Sequence, residues 1–172
     1  MLRKILDGLY GLCGALACIS LAATGAIILA QIIGRLMGVL IPSSDEFAGY
    51  AMGASTFLGL AYTLRANGHI RVNLFTQKLP QSAQRPVEIC VLAIGVLVMG
   101  YFSWHNIDMT YGSYAFDDVS AGLVPVKLWI PQLVMSFGTL LMAVSLLDEL
   151  MSVLRGHATT YSKVDESVLQ AE

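Results

Sequence analysis

Four long runs without a single charged residue divide this chain: Gly8 to Gly34, Phe47 to Leu64, Ile89 to Ile107 and Leu128 to Leu147. A helix rises ~1.5 Å per residue, so each run reaches across ~30 Å of hydrocarbon, the second only barely. Lipid offers the backbone no hydrogen-bond partner, so a spanning segment is a helix or part of a closed barrel. These runs lack the alternating pattern of barrel strands. Only 13% of the residues are charged, against about a quarter in soluble domains, and mean hydropathy is +0.68. The expected fold is an all-α integral membrane domain over 1–155. Its four transmembrane helices lie at about 9–34, 47–65, 87–106 and 128–148, and a polar tail occupies 156–172.

The few charges orient it. Arg3, Lys4, Arg65, Arg71, Lys78, Arg85, Arg155 and Lys163 fall on the N-terminus, the middle loop and the C-terminal tail, whereas only Arg35 and Lys127 fall on the other two loops. Cytoplasmic loops collect Lys and Arg, so both termini are expected inside, with the tail cytoplasmic. A signal peptide has an apolar core of about 7–15 residues; the first run is longer, which reads as a retained helix. The net charge of -2 argues against nucleic acid as a partner.

Between the runs, the residues suggest how helices meet each other and the membrane surface. Helix 1 is rich in small residues, among them Gly11, Gly14, Ala15, Cys18, Ala22 and Gly25, and helix 2 carries Gly49-x-x-x-Gly53. Small side chains permit close helix approach in lipid. Gln31 either bonds a neighbour or faces water. Asp45 and Glu46 suit the positive end of helix 2 as capping carboxylates, or form an ion pair with Arg35 that fixes the corner or docks a partner. From His69 to Leu79 the pattern fits a short amphipathic helix in the headgroup plane, at 68–80, with Arg71 and Lys78 drawn to anionic lipid. Tyr101, Phe102 and Trp104 read as an aromatic belt closing helix 3, and Trp129 as an anchor at the start of helix 4. Cys13, Cys18 and Cys90 read as small buried hydrophobes.

Several chemistries are missing. No run holds Asp, Glu, Lys or Arg near its centre, where transporters and proton pumps keep functional charges. No inverted repeat marks a midplane substrate site. A bis-histidine haem would need His69 and His105 at one depth, whereas the expected topology separates them by about a bilayer, ~30 Å; His157 lies in the tail. No catalytic or metal-ligating spacing stands out, so neither an enzyme nor a cofactor is expected in this chain.

A resemblance rests on particular residues: Arg35; Asp45-Glu46-Phe47-Ala48; Phe57-Leu58-Gly59-Leu60-Ala61-Tyr62; Arg65; His69-Ile70-Arg71-Val72-Asn73; Leu79-Pro80; and Trp129-Ile130-Pro131-Gln132 with Gly138. In this pattern the chain resembles the small membrane subunit of tripartite ATP-independent periplasmic (TRAP) transporters, the DctQ-like family. It departs from the family at Asn73, where an aspartate is common. The resemblance implies a non-catalytic subunit in a bacterial or archaeal cytoplasmic (inner) membrane, in contact with membrane lipids. Its implied partners are a large permease subunit that carries the substrate and sodium sites, and a periplasmic substrate-binding protein that delivers an organic acid. The small subunit would scaffold the large one during sodium-driven uptake. Arg35, Glu46, Arg65, His69, Arg71 and Trp129 are expected at the partner or lipid interface, with Asp117 and Asp118 in a loop facing the binding protein. The alternative from the histidines is a haem- or quinone-binding membrane anchor of a respiratory oxidoreductase.

Overall fold

A computed structural model describes residues 2–65 and 81–155. They form four helices: α1 (Leu2–Leu36), α2 (Ser44–Arg65), α3 (Gln81–Ala115) and α4 (Trp129–Leu154). Among the described residues the only extended pairing is one bridge, Val119 to Lys127. The all-helical expectation holds. Three helices are long and apolar enough to cross a membrane, over Leu6–Leu36, Gln84–Ala115 and Trp129–Leu154. α2 falls short of that standard, because Gly, Ser, Thr and Tyr interrupt its apolar residues.

The helices outrun the spans read from charge. Tyr101, Phe102 and Trp104 do not close α3, which continues through Asp108 to Ala115. A charge ends an apolar run but does not end a helix, and no proline lies between 107 and 115. The helix stops where Asp117 turns to φ 53°, a conformation that Asp tolerates better than most residues. His105 therefore sits within α3, its ring 4.4 Å from that of Tyr101. At ~1.5 Å per residue, α3 is ~52 Å long and exceeds a hydrocarbon layer of ~30 Å.

The helices pack as an open row. α1 lies against α2, α2 against α4, and α4 against α3, while α1 and α3 have no comparable pairing. One apolar cluster joins Tyr10, Cys13 and Ala17 of α1 to Leu58 and Ala61 of α2 and Leu141 of α4. A second joins Leu64 of α2, Leu92 of α3, and Met142, Leu146 and Val153 of α4. Two glycines set the closest approaches. A Cβ at Gly138 would collide with the backbone carbonyl of Phe57, so α4 touches the α2 main chain there. A Cβ at Gly14 would lie 2.8 Å from the Tyr62 ring, which fills the space that a side chain would take.

Other small residues meet no close neighbour among the described residues. Gly49 and Gly53 have open space where a Cβ would point, as do Gly11 and Gly25. Ala15, Cys18 and Ala22 are exposed. A small residue marks where close approach is possible, not which element approaches. The three cysteines are free; Cys13 is buried as expected, but Cys18 and Cys90 are exposed. Segment 68–80, with His69 and Arg71, and the tail 156–172 lie outside the described residues.

Candidate functional site

At one end of the row, where α1 turns into α2 and α3 into α4, side chains expected to face partners come together. α1 ends with Arg35 in its last turn. Gly38, at φ 74°, reverses the chain, and Val39 N–H donates back to the Gly34 carbonyl at 2.8 Å. This left-handed closure satisfies carbonyls that a helix end leaves open. α2 then opens with Asp45 and Glu46 in its first turn, where carboxylates complement the helix dipole.

Neither carboxylate pairs with Arg35. Gln31 Nε2 donates to Asp45 Oδ1 at 2.7 Å, so Gln31 bonds a neighbour. Ser120 Oγ donates to Glu46 Oε2 at 3.2 Å. The corner is fixed by hydrogen bonds in place of an ion pair. Arg35 is exposed and lines a cleft of about 140 Å³ with Gln31, Asp45, Leu40, Ile41 and Leu123.

Glu46 instead seats the connection between α3 and α4. That connection folds back on itself: Ser120 N–H donates to the Val126 carbonyl at 2.8 Å, and Leu128 N–H to the Asp118 carbonyl at 3.0 Å. Lys127 Nζ reaches Asp117 Oδ1 at 2.8 Å. The bond and charge of Asp117 hold the Lys127 ammonium above its ordinary pKa. The folded connection then closes over the start of α2. Val124 N–H donates to Ser43 Oγ at 2.8 Å, and a Cβ at Gly122 would run into the Glu46 carboxylate. Trp129 meets Tyr114 edge-on, with ring centroids 5.7 Å apart, tying the end of α3 to the start of α4. Of the two aspartates expected to face a partner, Asp117 is held by Lys127 and Asp118 is exposed.

Sequence reading missed Ser43, Ser120 and Gly122, because nothing local links a residue near 46 with one near 120. A second omission was legible. Ser103, Asn106 and Ser113 on α3 are buried, and with Thr110 they recur at helical spacing, so a polar stripe crosses an apolar run. The stripe faces α4, where Thr110 Oγ1 and Ser136 Oγ share a hydrogen bond of 2.8 Å. Ser103 Oγ and Asn106 Nδ2 are buried without a hydrogen-bond partner among the described residues. Glu149, whose charge follows the end of the last apolar run, is 2% exposed near the end of α4. Close by, Arg85 Nη2 donates to the Val153 carbonyl at 3.2 Å.

Arg65 is the last residue of α2. His69 and His157 lie outside the described residues, so the expected separation of His69 from His105 is not seen. Among the described residues, no group of three or more His, Cys, Asp or Glu side chains could hold a metal.

Residues 24–156 match the family of tripartite ATP-independent periplasmic transporters, DctQ component. The chain belongs to this family. The match begins inside α1 and ends just past α4, so it takes in the Glu46 corner, the folded connection and the polar stripe. No curated protein matches the chain. As a DctQ component it is the small membrane subunit of a TRAP transporter, and its family is not one of enzymes. DctQ components work in a tripartite complex with DctM, the large permease subunit, and a substrate-binding protein.

Proposed function

We propose that this DctQ chain is the static membrane scaffold on which the large permease subunit moves its transport domain, in sodium-driven, binding-protein-dependent uptake of an organic acid. The observation that carries the proposal is the open row. α2 keeps Gly49 and Gly53 clear of its own chain, with Met52 and Thr56 exposed beside them. A surface that a partner backbone can approach closely suits a docking helix. The scaffold would span the membrane four times, with both termini inside, in the cytoplasmic membrane of a bacterium or archaeon. α2 supports a fourth crossing despite its modest apolarity. It follows α1 from the Asp45–Gln31 bond to the Tyr62–Gly14 contact, a stretch of α1 about 26 Å long at ~1.5 Å per residue. With α1 and α4 on its flanks, α2 presents less surface to lipid than an isolated helix does.

Asp117 and Asp118, both exposed on the folded connection, are assigned to the binding protein, Asp117 as a pair with Lys127. Arg65, His69 and Arg71 are assigned to the opposite membrane surface, against the large subunit or lipid headgroups. Tagged chain recovered from native membranes in mild detergent tests the assignment. A large polytopic permease in about equal amount supports it. A flavin or iron–sulfur enzyme in its place would establish the oxidoreductase anchor. Reconstituted with both partners, the chain should support uptake that collapses without a sodium gradient.

A further inference from the structure

We infer that the α1–α2 corner is a binding site for the headgroup of a zwitterionic aminophospholipid. The phosphate would sit on Arg35 and the ammonium on Asp45. Two cations lie at this end of the described chain. Lys127 is committed to Asp117 at 2.8 Å, whereas Arg35 is exposed and forms no ion pair among the described residues. Asp45 spends Oδ1 on Gln31, and its second oxygen has no partner among the described residues. Both side chains line one cleft of about 140 Å³, several times the ~30 Å³ that a water occupies.

The surroundings place this cleft at headgroup depth. Arg35 ends a helix that is apolar enough to cross a membrane from Leu6 to Leu36. The rim beside it is apolar and open: Leu36, Leu40 and Leu123 are 82%, 72% and 75% exposed. A protein surface facing water would not concentrate exposed leucines around one arginine, whereas acyl chains cover them directly. Guanidinium binds phosphate oxygens through paired N–H donors, and a carboxylate accepts from an ammonium. A purely anionic headgroup would satisfy Arg35 but leave Asp45 facing like charge. The charge pair thus selects the zwitterion.

The inference rests on the membrane reading of α1 and not on which subunit the chain accompanies. Full-length protein, purified with whatever partners it retains, would be equilibrated with equal amounts of phosphatidylethanolamine and phosphatidylglycerol. Native mass spectrometry would then count the retained lipid. Phosphatidylethanolamine should predominate about fivefold, the factor that one exposed ion pair supplies. Arg35→Gln and Asp45→Asn should each remove that preference; Arg35→Lys should restore part of it, and Arg155→Gln should leave it intact. Equal retention of the two lipids, or no effect of Asp45→Asn, would overturn the site. So would an Arg35→Gln protein that loses the permease while keeping the lipid, because the corner would then belong to a protein partner. The permease is read in the same spectra, so loss of the lipid site and loss of the subunit assignment are told apart.

Discussion

The two outer helices of the row are attached by different means. α1 meets α2 through a tight apolar seam, in which Tyr10 is 2% exposed and Cys13 1% and the Tyr62 ring rests on Gly14. α3 meets α4 through an apolar half around Leu92 and Leu146, and then through the polar half of Ser103, Asn106, Thr110 and Ser136. In lipid no hydrophobic force drives two helices together, so shape and hydrogen bonds decide the pairing. The first seam is specified by shape along its length, with the Gln31–Asp45 bond at its end. The second is specified by shape at one end and by polar groups at the other, and two of those groups have no hydrogen-bond partner among the described residues. The apolar contacts should therefore dominate stability, and the polar stripe should contribute register more than free energy.

The sharpest way to break this contrast is at Gly138, where α4 touches the α2 backbone. Gly138→Val should destabilise by about 3 kcal/mol or prevent folding, because main chain cannot move aside as a side chain can. Thermal unfolding in detergent measures it. Gly53→Val, on open space, should stay within about 0.5 kcal/mol in the same assay, yet weaken co-purification of the permease if that face docks it. Next comes Gly14→Ala, expected to cost about 1–2 kcal/mol as the Tyr62 ring swings away.

The polar stripe should answer more weakly. Thr110→Val removes the bond to Ser136 and should cost about 0.6 kcal/mol, the average for such bonds between membrane helices. Asn106→Leu removes a buried donor without a partner among the described residues and should be neutral or stabilising within about 1 kcal/mol. A loss as large as that at Gly14 would show that the stripe carries the α3–α4 pairing. The smallest expected effect is at Lys127. Its pKa is raised in the folded chain, so its bond to Asp117 contributes fully below the unfolded value of about 10.5. That contribution disappears as pH rises through the higher folded value. Proteolysis of the 116–128 connection should quicken only in that alkaline window, and Lys127→Met should make it insensitive to that rise.

The four uncharged runs foretold the helices because lipid imposes one rule on every segment, and that rule is written in composition. Their ends were less legible. Asp108 stops the apolar run but not α3, and Asp148 and Glu149 stop a run while α4 continues to Leu154. Arg35, Glu46 and Trp129 were marked as important, and the structure brings all three to one end of the row. The partners of Glu46 could not be read: Ser120 and Gly122 lie more than seventy positions away, and neither type announces a carboxylate. Gln31, by contrast, was open to either reading until the fold set Asp45 beside it.

The order of helices in the row differs from their order in the chain, and this bears on how the protein is made. Synthesis delivers α1 and α2 together, and they are immediate neighbours. α3 follows, but its one substantial neighbour among the described residues is α4, the last to emerge. Until then the buried serines and Asn106 of α3 lack the α4 surface that they face. α4 must also enter between α2 and α3, pressing Gly138 onto Phe57 as it does so. The middle of the row closes last, so a nascent chain halted before residue 129 would hold one helix pair, α1 with α2, and one unpaired helix, α3.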